Sequence, residues 1–203
     1  MHGFLTELRK QRWDDHRYYH HCRINQTLHL VSALSFLTAY VTVFTNPAAA
    51  ALIGWLVAMV TRQVGHFFFE PKGYDTVNQA THEHKEDIKV GYNLRRKVVL
   101  LSLWALSPVI LWLDPTLFGL FRAPVSRGDF VSHMGQIWLA LGFGALLFRT
   151  VQLAVQQSVL TGLVWLTKII TDPFHDIKLY CRAPLYLLRG ELRDPMENVA
   201  NRA

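Results

Sequence analysis

Neutral imidazole is the side chain most often found on transition metals, and this chain carries ten histidines. Residues three or four apart share a helix face. Gln63, His66 and Glu70 therefore form one stripe, and Asn25 and His29 form another. Imidazole with one carboxylate and open positions is the pattern of non-haem Fe(II) oxygenases. The candidate metal ligands are accordingly His20, His21, His29, His66, His82, His84 and Glu70. Asn25 and Gln63 are candidates for the amides that fix ring tautomers from behind. On one unbroken helix His21, Asn25 and His29 share a face and His20 points away. A break in the helix near residues 22–24 would bring in His20 instead, so both are kept. His82-Glu83-His84, followed by Lys85, Glu86 and Asp87, suits a ligand pair or a solvated charged loop alike. No catalytic residue beyond the metal site is assigned.

Something must bring these histidines together, and the apolar blocks supply it. About 20 apolar residues cross a bilayer core as a helix. Uncharged blocks predict spans over residues 26–46, 48–70, 97–114 and 131–150. Residues 151–203 are expected to extend the last helix or lie along the interface, then form a tail, with Asp172-Pro173 as the stop. Asn46-Pro47 is a turn signal between the first two spans. A hairpin there sets the start of one helix beside the end of the next, so His29 and His66 are expected as neighbours. Lys and Arg alternate along the chain: five in residues 1–26, none at the Asn46 turn, six in 71–97, two in 115–133 and seven from Arg149 onward. Membrane proteins gather these residues in cytoplasmic loops. The expectation is an all-α polytopic bundle, one integral membrane domain of about four transmembrane helices, with both termini and the histidine cluster cytoplasmic. A bacterial inner membrane or an endoplasmic reticulum fits equally. The formal charge of +6 follows from this distribution, and no nucleic-acid motif accompanies it. Cys22 and Cys181 lie too far apart to suggest a zinc-type pair or a disulfide framework. The first 26 residues, charged and aromatic, do not resemble a cleavable signal peptide.

The stretches YYHHCRINQTLH, residues 18–29, and QVGHFFFE, residues 63–70, resemble the membrane-bound 2-hydroxy fatty acid dioxygenase family of fungi and bacteria. The matching positions are His20, Asn25, His29, Gln63, Gly65, His66 and Glu70, and the resemblance covers roughly residues 16–72. Cys22-Arg23 stands where that family commonly has Asn-Pro, and Pro71-Lys72-Gly73 keeps only part of its basic segment. The resemblance implies Fe(II) as cofactor, O₂ as co-substrate, and shortening of long-chain 2-hydroxy fatty acids by one carbon in α-oxidation of products of long-chain base breakdown. Two other readings fit the same residues. HRYYHH, residues 16–21, is also a plausible His box of a diiron fatty acid hydroxylase or desaturase. A non-enzymatic membrane scaffold or metal carrier is the third.

Overall fold

The computed structural model describes residues 3–70, 72–92 and 94–196. His2, Pro71 and the tail from 197 to 203 lie outside them. The described chain is all-α, and two isolated bridges, Cys22 with Arg193 and Asp75 with Ala80, are the extended pairings it shows.

Helix α1 spans Phe4–Tyr19 and α2 spans Arg23–Thr42. Between them the chain leaves the helix for His20, His21 and Cys22. The cause is distant in sequence: Arg23 N–H donates to the Leu192 carbonyl at 3.0 Å and Asp194 N–H to the His21 carbonyl at 2.8 Å. The expected hairpin follows. Asn46 caps the next helix by accepting from the Ala49 N–H at 3.0 Å. Pro47 fills the first helical position, where a missing N–H costs nothing.

Helix α3 runs over Pro47–Phe68, with a π-helical stretch at Ile53–Met59. Seven residues apart at ordinary spacing, Trp55 and Arg62 would share a face. The wider turns separate them. Trp55 donates to the Trp138 carbonyl at 2.8 Å on one side, and Arg62 reaches Asp176 at 3.2 Å on the other. A short helix α4, His82–Ile88, is capped by Thr81. Helix α5 spans Leu94–Leu113 and α6 spans Arg127–Gln156.

Helices α3, α5 and α6 form a layer around stacked tryptophans. Trp55 and Trp104 stack at 5.6 Å and 10°, and Trp138 donates to Ser107 at 2.8 Å. Gly135 permits close contact with α3, since a Cβ there would fall 2.7 Å from Ala48 Cα. Pairing of Ala48 with Gly135 and of Trp55 with Trp138 makes α3 and α6 parallel. Pairing of Ser107 with Trp138 and of Tyr92 with Ala145 makes α5 antiparallel to both.

Three segments, Pro47–Phe68, Arg95–Leu113 and Arg127–Gln156, are long and apolar enough to cross a membrane. Only 11% and 17% of the apolar windows of the last two are buried, which leaves their hydrocarbon outward. Helix α2 was expected as a further span, but its first two turns carry Arg23, Asn25, Gln26 and His29, all buried, and it falls short of that hydropathy. Two expectations change. Residues 151–156 continue α6, but the rest of the apolar run to residue 170 does not. The chain breaks at Gln157, and the Ser158 hydroxyl caps a new helix, α7, Val159–Tyr180, by accepting from the Thr161 N–H at 3.0 Å. Pro173 does not stop that helix. A proline removes one backbone bond, and here both flanks are anchored by ion pairs of Lys168, Asp172 and Asp176. A last turn, α8, spans Ala183–Leu188. The chain then returns across the start of α2, so the described C-terminal end lies beside His21 and Arg23.

Candidate metal centre

His20, His29 and His66 converge, each offering a nitrogen within 4.8 Å of the others. Their ring centroids are 4.2, 4.9 and 5.4 Å apart. His29 is fully buried and His20 nearly so. The helix break after Tyr19 turns His20 inward, and the α2–α3 hairpin sets His29 against His66.

The approach depends on Gly65. A Cβ there would fall 2.1 Å from Asn25 Oδ1 and 3.5 Å from His29 Cδ2. Asn25 is fully buried and is tied by its Nδ2–H to the Tyr19 carbonyl at 2.8 Å. It therefore packs the joint between α2 and α3 while holding the last residue of α1 in place.

The outward nitrogens of His20 and His66 have hydrogen-bond partners. His20 Nδ1 lies 2.9 Å from the Asp15 carbonyl, which can only accept, so Nδ1 carries the proton. His66 Nδ1 lies 2.7 Å from Glu70 Oε2. His29 Nδ1 faces Asp176 Oδ2 at 3.6 Å, an electrostatic contact longer than a hydrogen bond. Each ring thus presents its Nδ1 to a carbonyl or carboxylate, the arrangement that orients metal-binding histidines. Burial holds the His20 imidazole well below its ordinary pKa; His29 adds to this and Asp15 opposes it. A neutral ring protonated at Nδ1 has a bare lone pair at Nε2.

His20 Nε2 and His29 Nε2 are 3.1 Å apart, a distance at which one ring N–H donates to the other's lone pair or both lone pairs turn to one cation. Two nitrogens each about 2.0–2.1 Å from one tetrahedral ion sit about 3.3 Å apart. The residues fit a divalent first-row ion with three protein ligands and an open position. Imidazole suits iron, zinc, copper and nickel alike, so the donors alone do not name the metal.

The remaining candidates sit elsewhere. Glu70 lies behind His66, with Lys89 Nζ on its other oxygen at 3.4 Å. His21 turns away, its Nε2 on the Arg17 carbonyl and 3.4 Å from Asp75. His82 is half-buried and His84 exposed on α4, and neither joins the converging group. Gln63 lines an apolar cavity between α3 and α5.

What the spacing did not point to comes from α1 and α7. Lys168, Asp172, Asp176 and Tyr180 recur every four residues on α7, and all four are buried. Lys168 bonds Asp172 at 2.8 Å and Asp15 at 3.2 Å, and Arg62 bridges to Asp176 at 3.2 Å. Lys168 holds the Asp15 carboxyl far below its usual range against the cost of burial. The network fixes Asp176 behind His29 and Asp15 behind His20. The legible signal was charge: ionisable groups inside apolar helices require partners, and Arg62 in α3 complements the acidic stripe of α7.

No family model matches this chain, and neither a curated protein nor a solved structure matches it.

Proposed function

We propose that this chain is an Fe(II)-dependent oxygenase that shortens long-chain 2-hydroxy fatty acids by one carbon at a membrane surface. The observation that carries the reading is the convergence of the buried His20 and His29 with His66, whose ligand nitrogens lie within 4.8 Å of one another, the His20 and His29 Nε2 atoms 3.1 Å apart. The resemblance of residues 16–72 contributes the choice of iron, O₂ and substrate. Iron bound there would supply the O₂ chemistry that side chains lack. The protein's part is geometric. The Asp15 carbonyl and Glu70 hold His20 and His66 through Nδ1, Asp176 faces the Nδ1 of His29, and burial under α1 and α7 excludes bulk water. The three imidazoles leave coordination positions for O₂ and substrate.

In this reading α2 accompanies α3, α5 and α6 across the bilayer, its polar turns shielded by burial. Both ends and the histidine centre face the cytoplasm, as the bias in Lys and Arg supports. The single converging group among the described residues favours one iron over the two that a diiron hydroxylase needs.

The test is anaerobic purification, metal analysis, and O₂ uptake with 2-hydroxypalmitate. About one iron per chain and substrate-dependent uptake with release of a chain one carbon shorter are expected. Iron without uptake removes the substrate. Zinc at full occupancy with no gain on iron reconstitution removes the oxygenase.

A further inference from the structure

The cavity between α3 and α5 has a volume of about 170 Å³ and is walled by Trp55, Met59, Gln63, Phe67, Leu101 and Trp104 among others. Its exposed wall is apolar. Two polar atoms on its lining residues have no role in packing: Gln63 Oε1 and Trp104 Nε1 are buried without a hydrogen-bond partner among the described residues. A buried polar atom left unpaired costs about 1–3 kcal/mol. One is an acceptor and the other a donor, so a ligand hydroxyl could serve either.

A cation lies one helical turn from this cavity's lining on α5. Lys97 precedes Leu101 by four residues and Trp104 by seven, which puts all three on one face of α5. On antiparallel α3, Glu70 follows Phe67 by three. The register brings Lys97 toward Glu70 and His66, and its charge bears on both. Glu70 already has His66 on one oxygen and Lys89 on the other. Lys97 is half-buried and makes no hydrogen bond or ion pair among the described residues. Glu70 and Glu86 attract its charge from a distance and Lys89 opposes it, so a carboxylate in direct contact would favour an ammonium held in this apolar setting.

We propose that this cavity is the binding site of a single-chain carboxylate amphiphile, its acyl chain against Trp55, Leu101 and Trp104 and its carboxylate on Lys97, at the end that meets His66. Lys97, Leu101 and Trp104 lie outside residues 16–72, so the resemblance does not supply them. The choice of a carboxylate over another anion rests on the oxygenase reading; the site rests on the cavity and its cation. Lys97 then acts as a specificity residue, selecting free acids over esters and setting how far the chain enters.

Trp55 and Trp104 make the site visible. Bromine quenches tryptophan at contact, so dibromostearate and its methyl ester can be titrated against the full chain in lipid nanodiscs, with and without iron. The acid is expected to quench saturably at a concentration about tenfold or more below the ester, the scale of one charge-assisted hydrogen bond. Lys97→Met should erase that difference, Lys97→Arg should keep it, and iron content should stay at the wild-type level in both. Equal titration by acid and ester in the wild type, or an acid preference surviving in Lys97→Met, overturns the proposal. Should Lys97→Met fail to fold, the wild-type comparison still decides it. Loss of the oxygenase reading alone would appear as absent O₂ uptake with the acid preference intact.

Discussion

Gly65→Ala tests the joint on which the metal centre depends. In an exposed helix interior this change stabilises by about 1 kcal/mol, because alanine is the better helix former. Here the added methyl falls 2.1 Å from Asn25 Oδ1 and 3.2 Å from its Cγ. Reaching ordinary contact at 3.4 Å requires an opening of about 1.3 Å. Asn25 cannot step aside cheaply: it is fully buried and bonded to the Tyr19 carbonyl at 2.8 Å. The helices must therefore part, or Asn25 must abandon a buried hydrogen bond. Overpacking of this kind costs about 1–3 kcal/mol, and a metal site tolerates errors of only about 0.2 Å in ligand distance. The sign expected from propensity is thus reversed. Gly65→Ala should lower the midpoint of thermal unfolding of the metal-free protein in detergent, and lower metal affinity at least tenfold in a chelator competition. Adding Asn25→Ala removes the atoms that clash and leaves only the 3.5 Å contact to His29, so the double variant should recover metal affinity relative to Gly65→Ala. A Gly65→Ala protein as stable as wild type with the same metal affinity would refute the reasoning. A double variant no better than the single would refute the role given to Asn25.

The other expectations follow from the same geometry. His20→Ala, His29→Ala and His66→Ala should each lose bound metal while membrane insertion persists, and His21→Ala should retain it; metal analysis of washed membranes decides, and full occupancy in His20→Ala would return the choice to His21. Asp194 accepts from Arg23 at 2.8 Å and from Gln26 at 2.7 Å, and Gln26 in turn donates to the His20 carbonyl at 2.8 Å. Asp194→Ala should cost about 1–3 kcal/mol in stability and weaken metal binding about 10–100-fold, as outer partners of ligands do; an unchanged chelator competition would dismiss the C-terminal clasp. Burial lowers the His16 pKa from 6.5 to about 4. The unfolded chain binds that proton first, so stability is complete above pH 6.5 and falls as pH drops from there toward 4; His16→Gln should flatten this part of the unfolding curve, and an unaltered slope would count against a neutral His16.

The parts of this centre legible in the sequence are those set by neighbours. Asn46-Pro47 gave the turn through local backbone chemistry, and helical spacing lined up Asn25 with His29 and Gln63 with His66 and Glu70. Spacing alone misassigned roles within those stripes: Glu70 faces the far nitrogen of its histidine and Gln63 faces a cavity. The choice between His20 and His21 was beyond local reasoning, because the break that selects His20 is held by Leu192 and Asp194 at the other end of the chain. Pro173 and the apolar run after Arg149 misled for a similar reason. A proline stops an isolated helix, but α7 is not isolated; its Lys168, Asp172 and Asp176 are tied to α1 and α3.

That network explains why so many charges are buried beside a centre that uses none of them as ligands. Buried ion pairs contribute little net stability compared with well-packed apolar groups. Removing one partner nevertheless costs about 3–5 kcal/mol, because the other is left uncompensated. The penalty makes the arrangement of α1, α3 and α7 all-or-none. Arg62 is satisfied only when Asp172 and Asp176 arrive, at 3.9 and 3.2 Å, and their arrival is what places a carboxylate behind His29. Apolar replacements at Arg62 and Asp172 could pack the same helices, but they would let α7 slide along α2 at little cost. The charges fix its register, and with it the direction in which His29 points.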